Sequence, residues 1–108
     1  MFEYSARYVS AYDGDTVRLD IDLGFNIWLH NASVRLLGIN TPELRGKEKA
    51  LGLAARDALR AKLTEAQVLR IVSRKRGKYG RYLADIYADG VHLNQWMIDQ
   101  GHAVPYSC

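Results

Sequence analysis

Carboxylate, guanidinium and aromatic side chains are concentrated in a few short stretches of the chain. Asp13-Gly14-Asp15-Thr16 and Thr41-Pro42-Glu43 supply carboxylates, whereas Arg35 and Lys78-Tyr79-Gly80-Arg81 supply cations and a phenol ring. Ca²⁺ and Mg²⁺ prefer carboxylate and carbonyl oxygens, and fixed guanidinium groups neutralise the negative charge that develops on phosphate oxygens. These residue types could therefore hold a divalent cation against a phosphodiester and promote its cleavage.

Two interpretations of Asp13 and Asp15 follow from the residues themselves. Asp-Gly is a common turn pair, so the segment could be a simple turn. However, residues 16–23 alternate between apolar and polar side chains, and the same alternation directs Asp15 toward the apolar face. A carboxylate that points toward a core needs a partner, which is usually a metal ion or an arginine. This orientation favours a cation site.

The Thr41-Pro42-Glu43 segment also has two interpretations. Thr, Pro and Glu in this order could start a helix, although Gly46 soon afterwards argues against a sustained one. Alternatively, Pro42 restricts Thr41 to an extended conformation, in which the Thr41 carbonyl could serve as a ligand. Glu43 would then be a suitable general base for a water molecule near the cation.

The basic residues have a structural and a functional interpretation. Arg35 lies among apolar residues of a predicted strand, so it could form a structural ion pair with Asp15 or stabilise a phosphate. A further stretch contains cations and no acidic residue, which is typical of either a polyanion-binding surface or a solvated loop. Its cations are Arg70, Arg74, Lys75, Arg76, Lys78 and Arg81.

Hydrophobic periodicity predicts the elements that position these residues. The alternation over residues 16–23 indicates a strand with Val17, Leu19, Ile21 and Leu23 on one face. Residues 26–39 indicate one or two further strands, with a break near His30-Asn31. A stripe of Leu51, Ala55, Leu59 and Leu63, beside Ala54 and Ala58, predicts a helix over residues 48–63. Strands at 68–72 and 82–87, a turn at Asp89-Gly90 and a short helix at 93–100, capped by Gly101, complete the order βββ-α-ββ-α.

Composition limits the class of protein. With 108 residues, 48% hydrophobic residues and a net charge of +3, the chain is expected to be one globular domain spanning residues 1–108. We expect a monomer. The first residues do not resemble a signal peptide, which predicts a cytoplasmic protein, or a secreted one if a leader has been removed.

In order and residue type, these motifs resemble the staphylococcal nuclease (thermonuclease-like) family, from about Tyr8 to Tyr106. The resemblance implies an OB-fold, a five-stranded Greek-key barrel with two packed helices. It also implies a nuclease that uses one divalent cation, Ca²⁺, to hydrolyse DNA or RNA and leaves 3′-phosphates.

The same resemblance assigns roles to individual residues. Asp15, Asn40 and the Thr41 carbonyl would bind the metal, and Asp13 would support Asp15 from behind. Glu43 would act on the attacking water, and Arg35 and Arg81 would stabilise the transition state. The phosphate and base of the substrate would contact Lys78, Tyr79 and Tyr106, although packing of Tyr106 in the core is an equally good interpretation.

Asn40 departs from the family pattern, which has an aspartate at this position. An amide oxygen could still bind the cation, with one negative charge fewer. The sequence therefore supports a working nuclease whose metal binding is weaker or differently selective. The alternative is a domain of the same fold whose catalysis has lapsed and which binds nucleic acid or protein.

Overall fold

Five long strands of the protein curve into a closed barrel, against which two helices pack. The structure is a computed structural model and describes residues 2–76 and 81–107. Its strands are β1 (Phe2–Ala11), β2 (Thr16–Asp22), β3 (Trp28–Leu36), β4 (Ile39–Asn40), β5 (Leu69–Arg76), β6 (Tyr82–Ala88), β7 (Val91–His92) and β8 (Val104–Pro105). The helices are α1 (Lys49–Glu65), preceded by a 3₁₀ turn at Gly46–Glu48, and α2 (Leu93–Asp99).

The barrel closes through one parallel pairing. The strands follow the order β3-β2-β1-β5-β6-β7, and all neighbours in this order are antiparallel. β3 then pairs with β6 in parallel, with Val34 opposite Tyr82 and Arg35 opposite Leu83. The short strands β4 and β8 form a separate antiparallel pair. This mainly β barrel with two helices is consistent with the predicted OB-fold.

The core follows the alternation expected for β2. Val17, Leu19 and Ile21 point inward and are at most 5% exposed. Leu23, which we predicted on the same buried face, lies beyond the end of β2 and is 43% exposed. The strand ends before the alternation of the sequence does, so the last apolar residue of the pattern falls in the turn that follows.

Helix α1 runs two residues beyond the predicted end, and its buried face differs at its start. Ala55, Leu59 and Leu63 are buried as predicted, whereas Leu51 is 64% exposed and Ala54 is exposed. Gly52 takes the buried position instead. The first turn of the helix lies so close to the backbone of Glu43 that no larger side chain fits at this position.

Strand β3 is continuous, so the predicted break near His30-Asn31 is wrong. Asn31 does have a positive φ of 56°. The β2–β3 register shifts between Leu19 and Ile21, and this irregularity accommodates Asn31 without ending the strand. The Asn31 N–H donates to the Asp20 carboxylate at 2.8 Å.

In the second half of the chain, the observed strands and helix agree closely with those predicted from the sequence. The β5–β6 hairpin and the turn at Asp89-Gly90 are present, although β5 extends four residues further than expected. α2 ends at Asp99 and is followed by Gly101 with φ of +78°, the expected left-handed residue after a helix. Neither helix of the described residues is long and apolar enough to cross a membrane.

Candidate active site

Asp15 occupies the centre of the candidate site, just before β2. It is 6% exposed, so its carboxylate does point inward as the alternation predicted. Its Oδ2 accepts hydrogen bonds from the N–H and the hydroxyl of Thr41, both at 3.1 Å. Its Oδ1 accepts a longer bond of 3.3 Å from the Thr16 hydroxyl. The DGDT and TPE motifs are therefore joined directly through Asp15 and Thr41, by groups of Thr41 that the sequence had not singled out.

Arg35 connects Asp15 to Asn40. Its Nη2 lies 3.5 Å from Asp15 Oδ2 and 3.2 Å from Asn40 Oδ1. Its Nη1 donates to the Ile39 carbonyl at 3.0 Å, and the side chain is only 11% exposed. The ion pair expected from the structural interpretation is therefore present. The same contacts hold the guanidinium in one orientation, which a group that binds phosphate in a fixed geometry also requires.

Asp13 supports the backbone of the DGDT loop. Its Oδ1 accepts the N–H groups of Asp15 at 3.0 Å and Thr16 at 2.8 Å. Burial, followed by the hydrogen bond and negative charge of Asp15, raises the pKa of Asp13 from 3.8 to about 6, against the two N–H donors that favour the charged form. These contacts hold Asp13 next to Asp15, and its role in supporting a metal ligand stays a prediction.

Two glycines allow α1 to approach the site motifs. A Cβ on Gly14 would lie 2.8 Å from Thr41 Cγ2 and 2.9 Å from Ala55 Cβ. A Cβ on Gly52 would lie 2.1 Å from the Glu43 carbonyl oxygen, which is backbone and cannot move aside like a side chain. Neither of these close approaches was predicted from the sequence. The available signal was Gly52, because a glycine inside a helix is unfavourable unless close packing requires it.

Glu43 lies at the edge of a cleft next to Asn40 and Thr41. No helix starts at Thr41, because the first helical turn of this segment begins only at Gly46. Glu43 is exposed, and its backbone N–H donates to Glu48 Oε2 at 3.1 Å. The cleft has a volume of about 300 Å³ and is lined by Asn40, Thr41, Pro42, Glu43, Glu48 and residues 101–104. Glu43, the last residue of the Thr41-Pro42-Glu43 motif, is therefore open to solvent, which a residue that acts on a water molecule requires.

The structure describes some of the residues that were predicted to contact the substrate. Tyr106 is 49% exposed and does not belong to the core; its ring centroid lies 5.4 Å from Arg35 Cζ. Its N–H donates to the Gly38 carbonyl at 2.8 Å. Arg81 immediately precedes β6, at the point where β6 joins β3 beside Arg35. Lys78 and Tyr79 lie outside the described residues.

The oxygen atoms of the site suit a weakly held hard cation. Within residues 2–76 and 81–107, no group of three or more His, Cys, Asp or Glu side chains could hold a metal ion. The expected donors are instead one carboxylate (Asp15), one amide oxygen (Asn40) and one carbonyl (Thr41). All are hard oxygen ligands, and Ca²⁺ and Mg²⁺ commonly complete their coordination with water or phosphate oxygens. The donor set therefore fits such a cation.

Comparison with known proteins identifies the family. Residues 33–108 match the family described as staphylococcal nuclease homologue, which is well over half of the chain. The chain belongs to the staphylococcal nuclease family. The matched span contains Arg35, Asn40, Glu43, Arg81 and Tyr106, whereas Asp13 and Asp15 precede it.

The relatives found by sequence comparison are distant. The chain is 30% identical over 97 residues to an uncharacterized protein of Bacillus anthracis, covering 85% of the chain and 42% of the relative. It is 34% identical over 74 residues to a probable staphylococcal-like nuclease of Oryza sativa subsp. japonica, covering 68% and 21%. It is 29% identical over 103 residues to succinoglycan biosynthesis protein ExoI of Rhizobium meliloti (strain 1021), covering 88% and 49%. The chain thus spans less than half of the length of each of these relatives.

Proposed function

We propose that this protein is a metal-dependent nuclease that hydrolyses phosphodiester bonds of DNA or RNA. The observation that carries this proposal is the convergence of Asp15, Arg35, Asn40 and Thr41 within direct hydrogen-bond distance at the rim of the barrel. These residues come from three separate segments of the chain. Family membership and the half-exposed Tyr106 over Arg35 support the same interpretation.

Each residue has a distinct task in the proposed reaction. Asp15, Asn40 and the Thr41 carbonyl would hold one divalent cation, for which Ca²⁺ is our choice, and the bound cation would polarise a non-bridging phosphate oxygen. Glu43 orients the attacking water and accepts its proton. Arg35 and Arg81 donate hydrogen bonds to the equatorial oxygens as negative charge develops there.

Substrate contacts lie beside this centre. Tyr106 offers an aromatic face to a base, and stacking on tyrosine tolerates every base. Lys78 and Tyr79 are proposed to contact the phosphate and base of the substrate. Release of 3′-phosphates completes the proposal and follows from the family resemblance.

A second candidate function is binding without catalysis. It is favoured by Asn40, which brings one negative charge fewer than the aspartate of the family, and by Asp15, whose Oδ2 already accepts hydrogen bonds from Thr41 and Arg35. In this case the domain would bind nucleic acid or protein through the same surface.

Cleavage of single-stranded DNA and RNA with Ca²⁺, and with excess chelator, distinguishes the two functions. The nuclease should produce fragments only with Ca²⁺. Glu43→Gln should lower turnover about 10²-fold or more with little change in substrate affinity. Glu65→Gln is the matched control. Glu65 is a carboxylate on α1 that pairs with Lys62, and the variant should retain full turnover.

The two arginines should respond differently. Arg81→Ala should lower turnover to a similar extent as Glu43→Gln, whereas Arg35→Ala should also lower the melting temperature, because it leaves Asp15 without its ion pair. Binding of substrate without any Ca²⁺-dependent product would favour the binding module. Equal cleavage in excess chelator would contradict the metal-dependent reaction.

A further inference from the structure

The β2–β3 hairpin has a phenylalanine at its tip that contributes nothing to the core. Phe25 is 98% exposed. Phe25 and Asn26 have φ values of 55° and 60°, and the Ile27 N–H donates to the Gly24 carbonyl at 2.9 Å, so the tip is a type I′ turn. This turn favours Asn, Asp or Gly at both central positions, and a bulky side chain with positive φ is a clear outlier. Folding therefore gives no reason for a phenylalanine here.

An apolar groove lies at the base of the same hairpin. It has a volume of about 150 Å³, and its lining includes Tyr4, Ile21, Leu23, Leu29, Ile71 and Tyr82. An apolar cavity of about this volume stays dry and accommodates a benzene molecule. The groove can therefore accept one phenyl ring. Leu23 and Leu29 line the groove and lie on either side of the turn that carries Phe25, so the exposed ring and part of the groove belong to the same hairpin.

We propose that this surface binds a second copy of the chain, with Phe25 of each copy inserted into the groove of the other. A two-fold symmetric contact uses one patch twice and requires that the patch be self-complementary. A phenyl ring beside a groove of phenyl size meets this requirement. The proposal replaces the monomer expected from the sequence and does not depend on nuclease activity, because it uses none of the residues assigned to the site.

The apolar surface around the groove is large enough for a weak dimer. Phe2, whose ring centroid lies 6.5 Å from that of the groove residue Tyr4, is 68% exposed, and Ile27 is 56% exposed. With Leu23, Leu29 and Phe25, these side chains expose roughly 550 Å², taking about 200 Å² for a full aromatic side chain. Stable complexes bury about 800 Å² per partner. The available area falls short of this value, so we expect a weak, reversible dimer.

Sedimentation equilibrium from about 1 µM to 1 mM tests the proposal, because this range extends to the concentrations at which a weak dimer assembles. The variant Phe25→Asn removes the ring and introduces a residue that the turn prefers, so it should fold and melt no lower than the original protein. It should weaken dimerisation at least tenfold. Leu51→Gln removes a side chain that is 64% exposed on α1 and should leave the dissociation constant unchanged.

A mixed sample of isotope-labelled and unlabelled protein tests the contact itself. Filtered NMR experiments should show nuclear Overhauser effects between the Phe25 ring of one copy and methyl groups of Leu29 and Ile71 in the other. A chain that is monomeric at 1 mM, or a dimer that Phe25→Asn leaves intact, would overturn the proposal. So would a monomer whose Phe25 is required for binding to phosphatidylcholine vesicles, which would assign the surface to a membrane.

Discussion

Replacing Asp13 with asparagine should stabilise the folded protein at neutral pH and leave its stability unchanged near pH 4. The pKa of Asp13 rises from 3.8 to about 6 on folding, so the folded protein keeps the Asp13 proton over a range in which the unfolded chain has lost it. Asparagine resembles the protonated carboxyl group. Its Oδ1 can accept the Asp15 and Thr16 N–H groups, and its amide can donate to the Asp15 carboxylate.

The magnitude follows from linkage between proton binding and folding. A raised pKa gives a stabilisation that is fully present below about pH 3.8 and is lost as the pH rises through about 6. The shift corresponds to about 3 kcal/mol at 1.36 kcal/mol per unit. Because Asp13 is only half-buried and water screens its charge, we expect about 1–2 kcal/mol in favour of Asp13→Asn at pH 7.

Urea unfolding of both proteins at half-unit steps from pH 4 to pH 8 measures this difference. The advantage of the variant should grow between about pH 4 and pH 6 and then remain constant. Asp22→Asn is the matched control, since Asp22 accepts the Gly24 N–H in an exposed turn, and the effect of this variant on stability should be small. An Asp13→Asn variant that is less stable than the original at pH 7, or equally affected at pH 4, would refute the argument.

Three further perturbations test the site. Gly52→Ala should lower the free energy of unfolding, measured by chemical denaturation, by about 2 kcal/mol or more, because its Cβ would lie 2.1 Å from the Glu43 carbonyl oxygen. A stabilisation of about 1 kcal/mol, which is typical of Gly→Ala in an open helix, would contradict the close approach. Asn40→Asp should raise Ca²⁺ affinity about tenfold in calorimetric titration, and an unchanged affinity would mean that this side chain does not bind the cation. Neutralising Lys75 and Arg76 should weaken the salt dependence of single-strand binding, measured by fluorescence anisotropy: the slope of log K against log salt should become shallower by about 0.7 for each phosphate that the protein no longer neutralises. Arg74→Ala should have a smaller effect, because the Arg74 Nε–H already donates a hydrogen bond of 2.7 Å to Asp85. An equal effect of all three substitutions would contradict this expectation.

The elements could be predicted where a single periodicity covers them. The buried face of β2 follows from its alternation, and that of α1 follows from the stripe of Ala55, Leu59 and Leu63. Both patterns lie in the local sequence, so both faces could be predicted. Leu51 was placed incorrectly because tertiary packing shifts the buried face at the start of the helix to Gly52. The continuity of β3 through Asn31 depends on the register of its neighbour, which local sequence does not specify.

The candidate site shows the same division. The inward orientation of Asp15 and its partnership with Arg35 could be inferred from alternation and from the cost of burying a charge. The bonds from Thr41 to Asp15, and the fit of α1 against Gly14, could not be inferred, because they depend on distances between segments that are remote in sequence. Glu43 and Tyr106 could be proposed as site residues, but their exposure required the structure.

The parallel pairing of β3 with β6 has a consequence for the order of folding. Val34 and Tyr82 are 48 positions apart in sequence, whereas the β1–β2, β2–β3 and β5–β6 pairs connect strands that follow one another along the chain. Closing a long loop costs entropy before its contacts reward it, so the hairpins are expected to form first, and the two long-range pairings, β3 with β6 and β1 with β5, are expected to form later. Arg35 lies on β3 and Arg81 immediately precedes β6, so the β3–β6 pairing brings them together. Their charges are therefore expected to come together only when this long-range pairing forms, so a chain that has formed only its hairpins would not carry the assembled site.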